Sequence, residues 1–215
     1  PTPRGENTLL TIIQAAGWPI WPLIACSILA LALIVERFIS LKASKIAPEN
    51  LLQEAISVSR QGVPSEQVIA QLAQNSALGE VLASGLKAIG QSSQQEYLQA
   101  QMETAGRAAA HKLERYLGAL ATIASAAPLL GLLGTVICMI EIFGSQAGGG
   151  AVGSGNPAQL AHGISIALYN TAFGLIVAIP ALIFWRYFRA RVDGYLLQLE
   201  LASEQFLHHL LQLRR

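Results

Sequence analysis

The sequence predicts an all-α membrane protein with three transmembrane helices, two of them very long and extending into the cytoplasm. Three observations carry that expectation. Of the 215 residues, 53% are hydrophobic and 13% charged, and the mean hydropathy is +0.45, a composition typical of membrane-embedded chains. Three apolar runs are each long enough to cross a hydrocarbon core, which takes about 20 helical residues. Basic residues cluster at one end of each run, and the segment between the second and third runs has no charge, so the threading direction is readable.

Residues 1–17 form an outer N-terminal segment with one basic residue, Arg4. The first span, 18–35, reads "WPIWPLIACSILALALIV". It has no basic stretch directly before it and no small-residue cleavage site after it, so it reads as a span and not as a signal peptide. Arg37, Lys42 and Lys45 follow it, which puts residues 36–116 in the cytoplasm. Glu36 and Arg37, at its inner edge, are expected to snorkel their charges into water.

The cytoplasmic segment is helical by pattern. Leu51, Leu52, Ala55 and Ile56, then Val68, Ile69, Leu72, Leu78, Val81, Leu82, Leu86 and Ile89 recur at three- and four-residue intervals. Pro48 and "GVPSE", Gly62 to Glu66, punctuate the pattern, with Ser65 as an N-cap. No strand alternation occurs. From Ser93 to Phe143 the only proline is Pro128 and no loop cluster intervenes. One helix is therefore expected to run unbroken into the second span, 117–143, over a length on the order of 75 Å.

Residues 144–160 make a glycine-rich outer loop, expected to be flexible. The third span, 161–185, is expected to continue as a cytoplasmic C-terminal helix, 186–215, with Tyr195, Leu196, Leu199, Ala202, Phe206, Leu210 and Leu213 as its apolar stripe. Aromatic residues agree with this threading: Trp18, Trp21 and Phe143 mark the outer interface, and Tyr116, Trp185 and Tyr187 the inner one.

Several classes are excluded. A net charge of +1 without a polybasic tract does not fit a nucleic-acid binder. Cys26 and Cys138 lie in apolar runs and read as small packing or lipid-facing residues. No nucleophile–base set, phosphate loop or metal-ligand cluster is present, so neither enzyme activity, nor a metal, nor a cofactor is expected. His208 and His209 are adjacent on a helix and point to different faces, which is poor ligand geometry.

The chemistry of interest lies inside the membrane. Ala167, Thr171, Gly174, Ala178 and Ala181 share one face of the third span, and Ser125, Pro128, Gly131, Thr135 and Cys138 share one face of the second. Small faces allow close helix packing in lipid. One reading makes both stripes packing surfaces, with the Thr135 and Thr171 hydroxyls bonded to their own helices. The other makes them line a narrow, partly hydrated axis in an oligomer, where hydroxyls pass protons without a buried charge.

Pro128 and Pro180 each free a carbonyl one turn back and are candidate kinks. Asn170 is expected to bond a neighbouring helix. Glu141, near the outer end of the second span, is either an interfacial carboxylate or a proton-entry group. His162 lies at the outer start of the third span, and a lone histidine there is weak evidence for a site.

The stretches "APLLGLLGTVICMIEIF" (Ala127 to Phe143), "GISIALYNTAFGLIVAIPALIFWRYF" (Gly163 to Phe188) and "IIQAAGWPIWPLIACSILALALIVERF" (Ile12 to Phe38) resemble the ExbB/TolQ/MotA proton-channel family, most closely its ExbB/TolQ branch. The resemblance covers nearly the whole chain. It implies a ring-like homopentamer in a bacterial inner membrane, with residues 1–17 and 144–160 in the periplasm. The second and third spans would line a central pore holding single-span helices of an ExbD/TolR-like partner. Such complexes use the proton-motive force to drive a TonB- or TolA-like transducer. By position, Thr135 and Thr171 match the family's pore threonines. ExbB and TolQ usually carry a glutamate five residues before the second threonine, and Ile166 stands there in this chain. The titrating acid would then come from the partner. The competing reading is a non-conducting scaffold that clusters partner helices.

Overall fold

A computed structural model describes residues 10–147 and 157–213, residue 12 excepted. The main helices are α1 (Ile20–Ser40), α2 (Ala43–Ile46), α3 (Leu51–Ser59), α4 (Glu66–Asn75), α5 (Ala77–Gln91), α6 (Gln95–Glu114), α7 (Leu117–Ala147) and α8 (Pro157–Gln212). No strand occurs among the described residues. Three helices are long and apolar enough to cross a membrane, and the protein is a multi-pass membrane protein.

The helical bounds differ from the expected spans at their outer ends. α1 starts two residues later than Trp18, because Gly17 with φ +78 and Pro19 shape a turn there. α7 runs four residues into the expected outer loop, and α8 takes the other four, opening on Pro157. Proline is favoured at a first helical position, where its missing N–H is not needed. Between them residues 148–156, most of the glycine-rich loop, lie outside the described residues, as do 1–9.

The chain divides into two compact units, Pro1–Val35 with Gly118–Trp185, and Glu36–Leu117 with Arg186–Arg215. In the first, Leu23, Ala127 and Ala178 form a buried cluster, with Leu130, Phe173 and Val177 packed against it. Its outward faces are large and apolar: Ile28, Leu31, Leu129, Ile140, Ile176 and Ile183 are all exposed. Exposed apolar area of this extent on three helices is the surface that a bilayer covers.

The second unit is a water-type helical bundle with its own core. Val81, Leu82, Leu86 and Ile89 of α5 are buried, as are Leu98, Met102, Ala109 and Leu113 of α6 and Val192, Leu199, Phe206 and Leu210 of α8. Most of the expected stripe residues face inward, while Val68 and Leu213 are exposed. Gly79 is required where α4 meets α5, since a Cβ there would stand 2.0 Å from the Leu72 carbonyl oxygen. Ser65 occupies the N-cap position of α4 with extended backbone, but its hydroxyl makes no capping bond. Ser76 does cap, its Oγ accepting from the Gly79 N–H at 3.0 Å.

The expected unbroken helix into the second span is present in two pieces. α6 ends at Glu114, Arg115 turns to ψ 137, Tyr116 takes φ +66, and α7 starts at Leu117. A left-handed residue stops the i to i−4 ladder and leaves carbonyls without helical partners. Arg37 fills that need: its Nη1 donates to the Leu113 carbonyl at 3.0 Å. Arg37 is 4% exposed and therefore does not snorkel. Its Nη2 donates to Glu36 Oε1 at 2.7 Å, and its guanidinium lies 5.4 Å from the centre of the Tyr116 ring. A carboxylate, a carbonyl and an aromatic face replace water, so the charge is buried with partners.

Candidate functional site

The site begins with two glycines. A Cβ built on Gly131 of α7 would sit 2.7 Å from the Asn170 carbonyl oxygen and 3.2 Å from Gly174 Cα, and one on Gly174 would sit 2.6 Å from the Ala127 carbonyl oxygen. All of these neighbours are backbone atoms, so α7 and α8 cross here in direct main-chain contact. Without a hydrophobic drive between helices in lipid, such proximity is what lets dispersion and polar contacts hold them. Ala167, Gly174, Ala178 and Ala181 are buried along the α8 side of this crossing, and Gly131 along the α7 side.

The close approach brings Thr135 and Thr171 together, with their hydroxyl oxygens 2.5 Å apart. Thr135 Oγ1 is also 3.0 Å from the Ala167 carbonyl of the facing helix and 3.3 Å from its own Gly131 carbonyl. Carbonyls only accept, and each hydroxyl has one proton. The arrangement that satisfies both hydroxyls has Thr171 donating to Thr135 and Thr135 donating to Ala167. The two residues are half-buried. This is a short directed hydroxyl chain, and such a chain can be re-polarised by rotating its O–H bonds.

One residue before Thr171 is Asn170, fully buried, whose Nδ2 donates to the Ala16 carbonyl at 3.1 Å. The partner is thus the turn before α1 and not a neighbouring helix. Asn170 Oδ1 is buried without a hydrogen-bond partner among the described residues. Room for this side chain comes from Gly134, where a Cβ would meet Asn170 Cγ at 2.8 Å and Cβ at 2.9 Å. The notch at Gly134 was missed from sequence. Its signal was a glycine on α7 one residue before Thr135, matching an asparagine one residue before Thr171.

Other candidate residues lie apart from the pair. Ser125 is exposed and donates to the Ala121 carbonyl at 2.9 Å; ten residues of helix, about 15 Å of rise, separate it from Thr135. Cys138 is half-buried with a free thiol, and Glu141 and His162 are exposed. Pro128 and Pro180 sit inside helices that continue through them. Ile166 is half-buried and gives the pair no carboxylate. His208 and His209 diverge, with Gln212 and Ser59 as their respective partners.

Comparison with known proteins agrees with this construction. The family model described as "MotA/TolQ/ExbB proton channel family" matches residues 73–201. The chain is 33% identical over 194 residues to the ExbB-like 3 biopolymer transport protein of Synechocystis sp., covering 89% of each chain. It is 31% identical over 186 residues to biopolymer transport protein exbB1 of Vibrio cholerae, covering 81% of this chain and 76% of that one. It is 31% identical over 184 residues to the Tol-Pal system protein TolQ of Pseudomonas aeruginosa, covering 80% and 77%. With α7 and α8 supplying a paired-threonine crossing inside the matched region, this chain belongs to the MotA/TolQ/ExbB proton channel family, on its ExbB-like branch.

Proposed function

We propose that the protein is a subunit of an inner-membrane proton-conducting motor that couples the proton-motive force to work in a partner. The Thr135–Thr171 hydroxyl pair at the α7–α8 crossing carries this reading. In the proposed assembly, five copies surround an axis, and Thr135, Thr171, Ser125 and Cys138 contribute polar or polarisable groups toward it. Gly131, Ala167, Gly174 and Ala178 set the helix spacing that places them. Glu141 is proposed as a group at the outer mouth. Because Ile166 offers no acid, the titrating carboxylate is assigned to a single-span ExbD/TolR-like partner seated on the axis. The output is assigned to a TonB- or TolA-like transducer.

Basic residues after α1 and after residue 185, with an uncharged outer loop, support a cytoplasmic C-terminus and a periplasmic N-terminus. A second reading, a non-conducting scaffold, draws on Ile166 and on the internal satisfaction of both hydroxyls. Proton uptake into proteoliposomes containing the chain and its partner separates the two. Wild type is expected to conduct, and Thr171→Val to lower flux at least about tenfold, the scale of one lost relay group. No flux from the wild-type complex, together with unchanged cellular function in Thr171→Val, establishes the scaffold instead.

A further inference from the structure

We propose that the cavity bounded by Arg37, Phe38, Lys42, Tyr187, Phe188 and Arg191 binds the phosphate of an anionic phospholipid headgroup. The cavity lies wholly within the second unit and has a volume of about 220 Å³. Its walls come from two chain positions: Arg37 to Lys42 directly follow the first apolar run, and Tyr187 to Arg191 directly follow the third. In a three-span chain the first and third spans run in the same direction. Both segments therefore leave the bilayer on the same side, at headgroup depth. The inference needs this spanning arrangement and not the proton pathway.

Arg37 pairs with Glu36, Arg107 with Glu103, Lys112 with Glu80, and Arg189 with both Glu114 and Asp193. Lys42 and Arg191 are two of several basic residues without an ion pair among the described residues, and what sets them apart is that they meet at one cavity. Arg191 is also oriented. Its Nη2 donates to the Tyr195 hydroxyl at 2.7 Å, and that hydroxyl donates to the Leu41 carbonyl at 3.1 Å. Tyr195 is only 6% exposed, so a buried side chain fixes the direction of an exposed guanidinium.

The guanidinium lies 6.0 Å from the Tyr187 ring centre and 5.3 Å from that of Tyr195. A held arginine presents a planar fork that matches phosphate oxygens, and a nearby lysine adds a point charge. The aromatic rim decides between a lipid and a free anion. Phe38 and Tyr187, with ring centres 6.0 Å apart, are both exposed, and an apolar ring beside an amphipathic one at headgroup depth favours a ligand with glycerol and acyl chains attached.

The test is native mass spectrometry of the full-length complex in nonionic detergent, titrated with phosphatidylglycerol, phosphatidylcholine or inorganic phosphate. Wild type is expected to retain phosphatidylglycerol over phosphatidylcholine, with millimolar phosphate failing to displace it. The pair Lys42→Gln/Arg191→Gln is expected to lower retention about thirtyfold, and the charge-matched pair Lys45→Gln/Lys87→Gln less than threefold. Tyr195→Phe, which keeps every charge, is expected to lower retention with helix content unchanged by circular dichroism. Equal losses in the two double variants, equal retention of the two lipids, or displacement by inorganic phosphate each overturn the proposal.

Discussion

The most exposed test of the α7–α8 crossing is Gly131→Ala. The new Cβ would stand 2.7 Å from the Asn170 carbonyl oxygen, 3.1 Å from Thr171 Cα and 3.2 Å from Gly174 Cα, where ordinary contact begins at 3.4 Å. Because all three neighbours are main-chain atoms, no rotamer change relieves the clash, and the helices must separate. Overpacking of this kind costs about 1–3 kcal/mol. Separation also stretches the Thr135 bonds to Thr171 and Ala167, and interhelical hydrogen bonds in membranes average about 0.6 kcal/mol each. The expected destabilisation is therefore about 2–4 kcal/mol.

Gly144→Ala on the same helix is the control. Among the described residues, nothing beyond its own helix backbone lies within 4 Å of its Cβ position, so the better helix former should be neutral or stabilising by about 0.5–1 kcal/mol. Unfolding in mixed micelles, followed by circular dichroism against denaturing detergent, measures both. If the two variants unfold within 1 kcal/mol of each other, the helices do not cross through Gly131, and the geometric basis of the threonine pair falls.

Asn170→Ala removes the donor to the Ala16 carbonyl and is expected to cost about 1–2 kcal/mol and to speed proteolysis before α1; unchanged cleavage kinetics would contradict a clamp on that turn. Tyr116→Gly should be more stable than Tyr116→Ala by about 1 kcal/mol, because both lose the ring but only glycine takes φ +66 without strain; thermal unfolding of the pair checks it. Desolvation, and to a lesser extent the charge of Arg60, lower the His209 pKa below its ordinary 6.5. The unfolded state then binds the proton more tightly, so His209 contributes stability that is present above pH about 6.5 and lost as pH falls toward the folded value. His209→Gln should flatten that acid limb of the stability profile, and a profile identical to wild type would exclude the residue as its source.

The sequence by itself determined the helical class, the three apolar runs, the threading signal and the small-residue faces carrying Thr135 and Thr171. These are properties of composition and of a 3.6-residue period, which each segment carries alone. The residues of the site could be marked for the same reason: glycine, alanine and threonine on one face of an apolar helix are visible without knowing the partner. Only the tertiary structure decided which small residues touch, because contact depends on the register of α7 against α8. That register put Gly131 against Gly174 and opened the Gly134 notch for Asn170, whose partner, the Ala16 carbonyl, lies 154 positions away. It also decided the fate of Arg37. A residue next to an apolar span reads as snorkelling until a left-handed Tyr116, far along the chain, frees the Leu113 carbonyl and supplies the ring that together hold it buried. Local periodicity encodes faces; long-range pairing of single polar groups depends on a backbone break and a helix register that no local pattern contains.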